Sequence, residues 1–258
     1  MDLRGCLEEA QHHDGIAREY DGYWVDRVQY SFLAMEMLED LSGLGLEPSS
    51  SVLDLGSGTG SVTGALAGTY DRVAAADISM GMLKVLHEKE FGSHEVQCSA
   101  HALPFRSASF DAVVCSKTLH HLDPGARSMT YAQVRRVLKD GGLFYIIEDA
   151  VAPGPLRAAA DSIRSRFSPG TYPSGSPTRT GREGALPAPE LLEEVRSAGF
   201  AIIFARHTFH LPFNWLHGMA QRDPGLARSM WDLPKRVPLI RDLGGAVRIA
   251  ARTAGHPR

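Results

Sequence analysis

Two rhythms of apolar positions alternate along the chain, and together they predict its architecture. Short solid runs, Val52 to Leu55, Val73 to Ala76, Ala112 to Cys115 and Leu143 to Ile147, read as strands buried on both faces. Phe32, Met35, Leu38 and Leu41 instead recur at helical spacing within Ser31 to Leu44, and Ser61 to Tyr70 reads as a helix between the first two strands. Further on, Pro189 to Ala198 reads as a helix, Phe200 to His207 as a strand and Gly245 to Arg252 as a last strand. Strands alternating with helices predict an α/β sheet that is mostly parallel.

The same pattern divides the chain into stretches. Residues 1–44 are expected to form a helical N-terminal cap and 45–150 the alternating core. Residues 151–189, rich in Pro, Gly, Ser and Arg, are too long for an ordinary connection and read as a lid or substrate loop. Residues 190–258 continue the sheet around a helical insertion over 211–243, whose Trp215, Met219, Met230 and Trp231 suit either the roof of an apolar pocket or plain packing. No internal repeat is present.

The first strand runs straight into Gly56-Ser57-Gly58-Thr59-Gly60, a turn whose glycines let a ligand lie against the main chain ahead of a helix N-terminus. A dinucleotide turn spaces its glycines G-x-G-x-x-G; here the spacing is G-x-G-x-G, Ser61 stands at the third dinucleotide glycine, and the acid Asp54 precedes the turn. Both departures argue against NAD. A ribose diol needs an acceptor at the next strand end, and Asp77, 17 residues beyond Gly60, is placed for it.

The run Asp54-x-Gly56-x-Gly58-x-Gly60 resembles the first motif of class I methyltransferases that use S-adenosylmethionine (SAM). Asp77-Ile78-Ser79 followed by Met82-Leu83 is similar to a second signature of that family, in which Ile78 packs on the adenine. Leu103-Pro104-Phe105 and Ser109 to Cys115 resemble the small-molecule branch that includes the ubiquinone and menaquinone C-methyltransferases. That branch usually carries an Asp at the position of Ser99, toward the adenine amino group; here Ser99, Ala100 and His101 take over this segment. Cys115 to Leu122 looks like the family's segment after strand four, and Tyr20, near Tyr23 and Trp24, like its aromatic cap.

The resemblance covers roughly residues 45–150. It implies a Rossmann-like, seven-stranded sheet in the order 3-2-1-4-5-7-6, SAM as cofactor and S-adenosylhomocysteine as product. It implies cofactor contacts at Tyr20, Asp54, Gly56, Ser57, Gly58, Gly60, Asp77, Ile78, Met82, Ser99, Ala100, His101 and Cys115.

Methyl transfer from a sulfonium depends chiefly on alignment, and a base adds about 10²- to 10⁴-fold. Imidazoles suit that task near neutral pH. His120 and His121, after the fourth strand, and His210, beyond the sixth, are the candidate catalytic residues; His207 and His217 read as packing or surface residues. His12, His13 and Asp14 invite a metal, but none is assigned, because adjacent histidines cannot easily share an ion and no Cys or Glu cluster completes a site.

Composition narrows the partners. Three cysteines in 258 residues form no disulfide framework, and no apolar run approaches the roughly 20 residues of a membrane span, so a cytoplasmic protein without a membrane partner is expected. The net charge of −3 hides an asymmetry: residues 151–258 carry 15 Lys and Arg against 8 Asp and Glu. That excess reads as solubility or as attraction to an anionic partner. The expected activity is methyl transfer to an oxygen or nitrogen of a small secondary-metabolite acceptor, with a homodimer allowed. An RNA methyltransferase, a SAM-dependent enzyme that moves no methyl group and a SAM-binding protein without catalysis stay open beside it.

Overall fold

The computed structural model describes residues 3–23, 27–149, 186–208, 222–232 and 246–253. Two helices, α1 (Leu3–Tyr23) and α2 (Arg27–Gly43), precede β1 (Ser51–Leu55), α3 (Thr63–Ala67), β2 (Arg72–Asp77), α4 (Met80–His87) and β3 (His94–Gln97). β4 (Phe110–Ser116), a short 3₁₀ turn (Leu119–His121), α5 (Pro124–Val137) and β5 (Leu138–Asp149) follow. The described C-terminal elements are α6 (Ala188–Ser197), β6 (Phe200–Thr208), α7 (Pro224–Asp232) and β7 (Ala246–Thr253).

The seven strands form one sheet in the expected order β3-β2-β1-β4-β5-β7-β6. β1 to β5 pair in parallel, whereas β7 runs antiparallel between β5 and β6. Period-two alternation sorts the strand side chains onto two faces. Leu53, Leu55, Val113, Cys115, Phe144 and Ile146 pack under α5 and α6; Val52, Ala112, Val114, Leu143, Tyr145 and Ile147 pack under α2, α3 and α7. Both faces being covered is what the solid apolar runs require.

α2 is part of this packing and not a loose cap: Phe32, Leu33, Met37 and Leu41 are buried on the sheet. It is also tied down by charge. Arg248 of β7, 6% exposed, reaches Glu36 at 3.1 Å and pairs with Asp40, which accepts from Tyr145 Oη at 2.6 Å and from Arg206 at 3.0 Å. Trp231 of α7 donates to Glu36 at 2.7 Å and stacks at 5.3 Å on Phe32. Part of the Arg-rich second half therefore serves the fold. Trp231, one candidate for the roof of a pocket, is core; Trp215, Met219 and 151–185 of the expected lid lie outside the described residues. No described helix is long and apolar enough to cross a membrane.

Candidate active site

The C-terminal ends of β1, β2 and β4 open onto one cavity of about 690 Å³. In open parallel sheets ligands bind at this crevice, where the strand order reverses. The glycine turn is fixed to the neighbouring strand, because Gly56 and Ser57 both donate their N–H to Ala76 O, at 2.7 and 3.1 Å. A Cβ on Gly56 (φ 73°) would lie 2.0 Å from Thr118 Oγ1, so the turn closes only around glycine. Gly58 (φ 52°) faces open space instead. Its absent side chain leaves room in the cavity.

Asp77, at the end of β2, accepts from Gly58 N through one carboxylate oxygen and from Ser79 N through the other, both at 2.8 Å. It thus locks the turn to the start of α4 and still presents free lone pairs to the cavity. Burial pushes its pKa up against these two bonds. Asp54 is buried too and accepts from Thr63 Oγ1 at 2.6 Å. Its other oxygen, like Ser57 Oγ, finds no partner among the described residues, and burial lifts its pKa to about 7.

Those orphaned groups test the expected cofactor. A buried acceptor without a partner is costly, and both residues line the cavity. SAM carries an ammonium to answer Asp54, a carboxylate to answer Ser57, and a ribose diol to answer Asp77. Ile78, Met82, Ser99 and Ala100 line the cavity beyond Asp77, as an adenine pocket requires, and Tyr20 lines it from α1. The residues fit the cofactor.

Other expected residues fall elsewhere. Cys115 is fully buried in the core, since strand alternation turns it inward; Ser116, Lys117 and Thr118 line the cavity in its place. His101 is not at the cavity wall and meets Ser99 Oγ at 2.9 Å. His120 turns away to Glu148 of β5, Nδ1 to Oε2 at 2.8 Å. Glu148 is fully buried and accepts from Thr118 N and Leu119 N as well, at 2.8 and 2.6 Å, which shapes the turn after β4. Although burial opposes it, the charge and hydrogen bond of Glu148 raise the pKa of His120. His120 is held in place by Glu148, and His210 lies outside the described residues.

His121 does reach the cavity, and α1 comes to meet it. Glu9 Oε1 stands 3.1 Å from His121 Nδ1. His13, one turn along the same helix, packs edge-on against His121 with ring centres 5.2 Å apart. Burial lowers the pKa of His121 against the pull of Glu9; burial works against the Glu9 carboxylate, but the His121 hydrogen bond and the neighbouring imidazoles hold its pKa down. The ligand atoms of Glu9, His13 and His121 lie within 4.8 Å of one another, so the fold assembles a potential metal-binding group that the local His12-His13-Asp14 sequence does not. Asp14 is occupied elsewhere: it docks α1 on α4 by accepting from Ser79 Oγ and Gly81 N at 2.6 and 2.7 Å.

Glu9 and Lys117 escaped the sequence reading. The helical spacing of Glu9 to His13 was a signal in itself, but nothing local pairs either with His121. Lys117 is left-handed (φ 52°), a conformation costly without glycine, and is anchored to Asp149 beside the cavity.

Comparison with known proteins places the chain in a family. The family described as "Methyltransferase domain" matches residues 53–146. A demethylmenaquinone methyltransferase of Clavibacter sepedonicus is 34% identical over 167 residues, 60% of this chain and 67% of that protein. A ubiquinone/menaquinone biosynthesis C-methyltransferase of Hahella chejuensis is 32% identical over 165 residues, 60% of this chain and 65% of that one. In fold, the chain matches a Haemonchus contortus phosphoethanolamine N-methyltransferase solved with SAM (TM-score 0.58, 19% identity, 86% of this chain and 52% of that one). With the glycine turn, the Asp77 acceptor and the sheet order all in place, the chain belongs to the class I SAM-dependent methyltransferases and is an enzyme of that kind.

Proposed function

We propose that the enzyme moves the methyl group of SAM to an oxygen or nitrogen of a small-molecule acceptor, and that His121 takes the acceptor's proton. The observation that carries this reading is the extent of the cavity. At about 690 Å³ it lies within the range of small-molecule sites, and it continues from the cofactor residues to Glu9, His13 and His121 and to the apolar Ala34, Met35 and Leu38 of α2. Such a wall suits a compact, partly apolar acceptor better than a nucleic-acid strand.

SAM supplies the electrophilic methyl group. Gly56 to Gly60, Asp54 and Asp77 would hold it, and the chain's remaining task is to align the acceptor and take up its proton. Glu9, accepting from Nδ1–H of His121, leaves Nε2 of that ring as the basic atom. Burial lowers the pKa of His121, which favours the unprotonated ring a base needs. Lys117, held at the cavity by Asp149, offsets negative charge that develops on the acceptor.

A second reading is favoured by the relatives, one of which is named as a C-methyltransferase. An ionised phenol is nucleophilic at its ring carbons as well as at oxygen, so the same base serves a carbon acceptor. Incubation with methyl-deuterated SAM and, separately, a small-metabolite extract and total RNA tests the proposal. Label on oxygen or nitrogen of a metabolite is the expected result, label on carbon would favour the second reading, and label confined to RNA would overturn both.

A further inference from the structure

Glu9 and His13 are one helical turn apart, so α1 presents both on one face, and His121 enters that face from the turn after β4. The result is a carboxylate and two imidazoles drawn from two separate elements. Glu9 Oε1 lies 3.1 Å from His121 Nδ1, His13 Nδ1 donates to the main-chain oxygen of Glu9 at 3.0 Å, and a ligand atom from each of the three side chains lies within 4.8 Å of the other two. Around a tetrahedral zinc with bonds of about 2.1 Å, neighbouring ligand atoms are roughly 3.4 Å apart. The Glu9–His121 spacing between the two elements is therefore already close to that of a coordination shell.

All three side chains are partly exposed, at 20, 19 and 31% for Glu9, His13 and His121, and all three line the cavity. An ion among them would have three protein ligands and an open side. Two imidazoles and one carboxylate suit zinc and its neighbours and suit magnesium or calcium poorly.

We propose that Glu9, His13 and His121 form a binding site for a divalent transition-metal ion of the zinc class, and that its occupancy inhibits methyl transfer by withdrawing His121 from the acceptor's proton. Metal and proton compete for the same imidazole. The inhibitory part rests on His121 being the base; the binding part does not.

The test uses the full chain, freed of metal with a chelator and titrated with Co²⁺ as a spectroscopic stand-in for zinc. Stoichiometric growth of visible ligand-field bands is expected, displaced by Zn²⁺. His13→Ala and Glu9→Gln should each weaken Co²⁺ binding at least about tenfold, the change that loss of even a supporting group at such a site produces. His12→Ala, which alters the neighbouring imidazole outside the cluster, should leave the bands as they are.

Absence of bands in the unaltered protein, or equal Co²⁺ affinity in both cluster variants when circular dichroism reports them folded, would overturn the site. With the metal bound, Zn²⁺ should slow methyl transfer while SAM affinity persists; stimulation or no effect would overturn the inhibitory role. Failure of the function itself reads differently, as no transfer to any small-molecule acceptor by the metal-free protein, whether or not Zn²⁺ is then added.

Discussion

Replacing Asp77 by Asn separates the two tasks of that carboxylate. Asn keeps its shape but turns one oxygen into an NH₂ group, and each oxygen now accepts a main-chain N–H at 2.8 Å, from Gly58 or from Ser79. Whichever way the amide turns, one N–H meets a donor. A hydrogen bond to a charged group contributes about 1.5 to 3 kcal/mol. The main-chain bonds exist without cofactor, so their loss appears as a lower melting temperature, about 2 to 4 °C per kcal/mol at this chain length. The ribose contact exists only in the complex, so its loss appears in affinity, as a SAM Kd raised about 10- to 150-fold. Calorimetric titration of SAM and S-adenosylhomocysteine, with a thermal melt of the cofactor-free protein, reads both. A folded Asp77→Asn variant that binds SAM as tightly as the unaltered protein would refute the assignment.

Three further predictions concern ionisable side chains in and beside the cavity. Asp54 has a folded pKa of about 7, above its ordinary 3.8, so it contributes stability below about pH 4 that is lost as pH rises through 7. Asp54→Asn should therefore raise the melting temperature of the cofactor-free protein more at pH 8 than at pH 5, and SAM binding near pH 6.5 should release protons, measurable by calorimetry in buffers of different ionisation enthalpy. Equal gains at both pH values would contradict the burial of that charge. Glu148→Ala strands two main-chain N–H groups and His120 in the interior and should cost about 3 to 5 kcal/mol in chemical denaturation, as removal of one partner from a buried pair does; a loss near zero would mean the turn after β4 is held by something else. His121→Ala should lower the rate of methyl transfer about 10²- to 10⁴-fold and flatten its pH profile with SAM affinity little changed, whereas a rate near that of the unaltered protein would remove His121 from the chemistry.

Local chemistry made the cofactor end of the site legible in the sequence. Asp54 and Asp77 lie at the C-terminal ends of β1 and β2 and the Gly56 to Gly60 turn follows β1 directly, so spacing alone carries them to the same sheet edge. The acceptor end was harder to read because it forms between distant elements. His120 and His121 are adjacent in sequence, and only Glu148 of β5 and Glu9 of α1, both far along the chain, draw one inward and the other to the cavity. Cys115 lies inside β4 with its side chain in the core, whereas Lys117 is the first residue beyond the strand, so the cavity wall turns on where the strand ends. Trp231 looked suited to a pocket for the same aromatic bulk that takes it into the core, and its Glu36 partner on α2 was not visible from the 211–243 stretch.

The most direct test of this account is a crystal structure of the enzyme with S-adenosylhomocysteine. The account predicts the ribose hydroxyls on Asp77, the amino acid end between Asp54 and Ser57, and the sulfur facing the wall of Glu9, His13 and His121. A product bound with its ribose away from Asp77, or with its sulfur turned from His121, would contradict it.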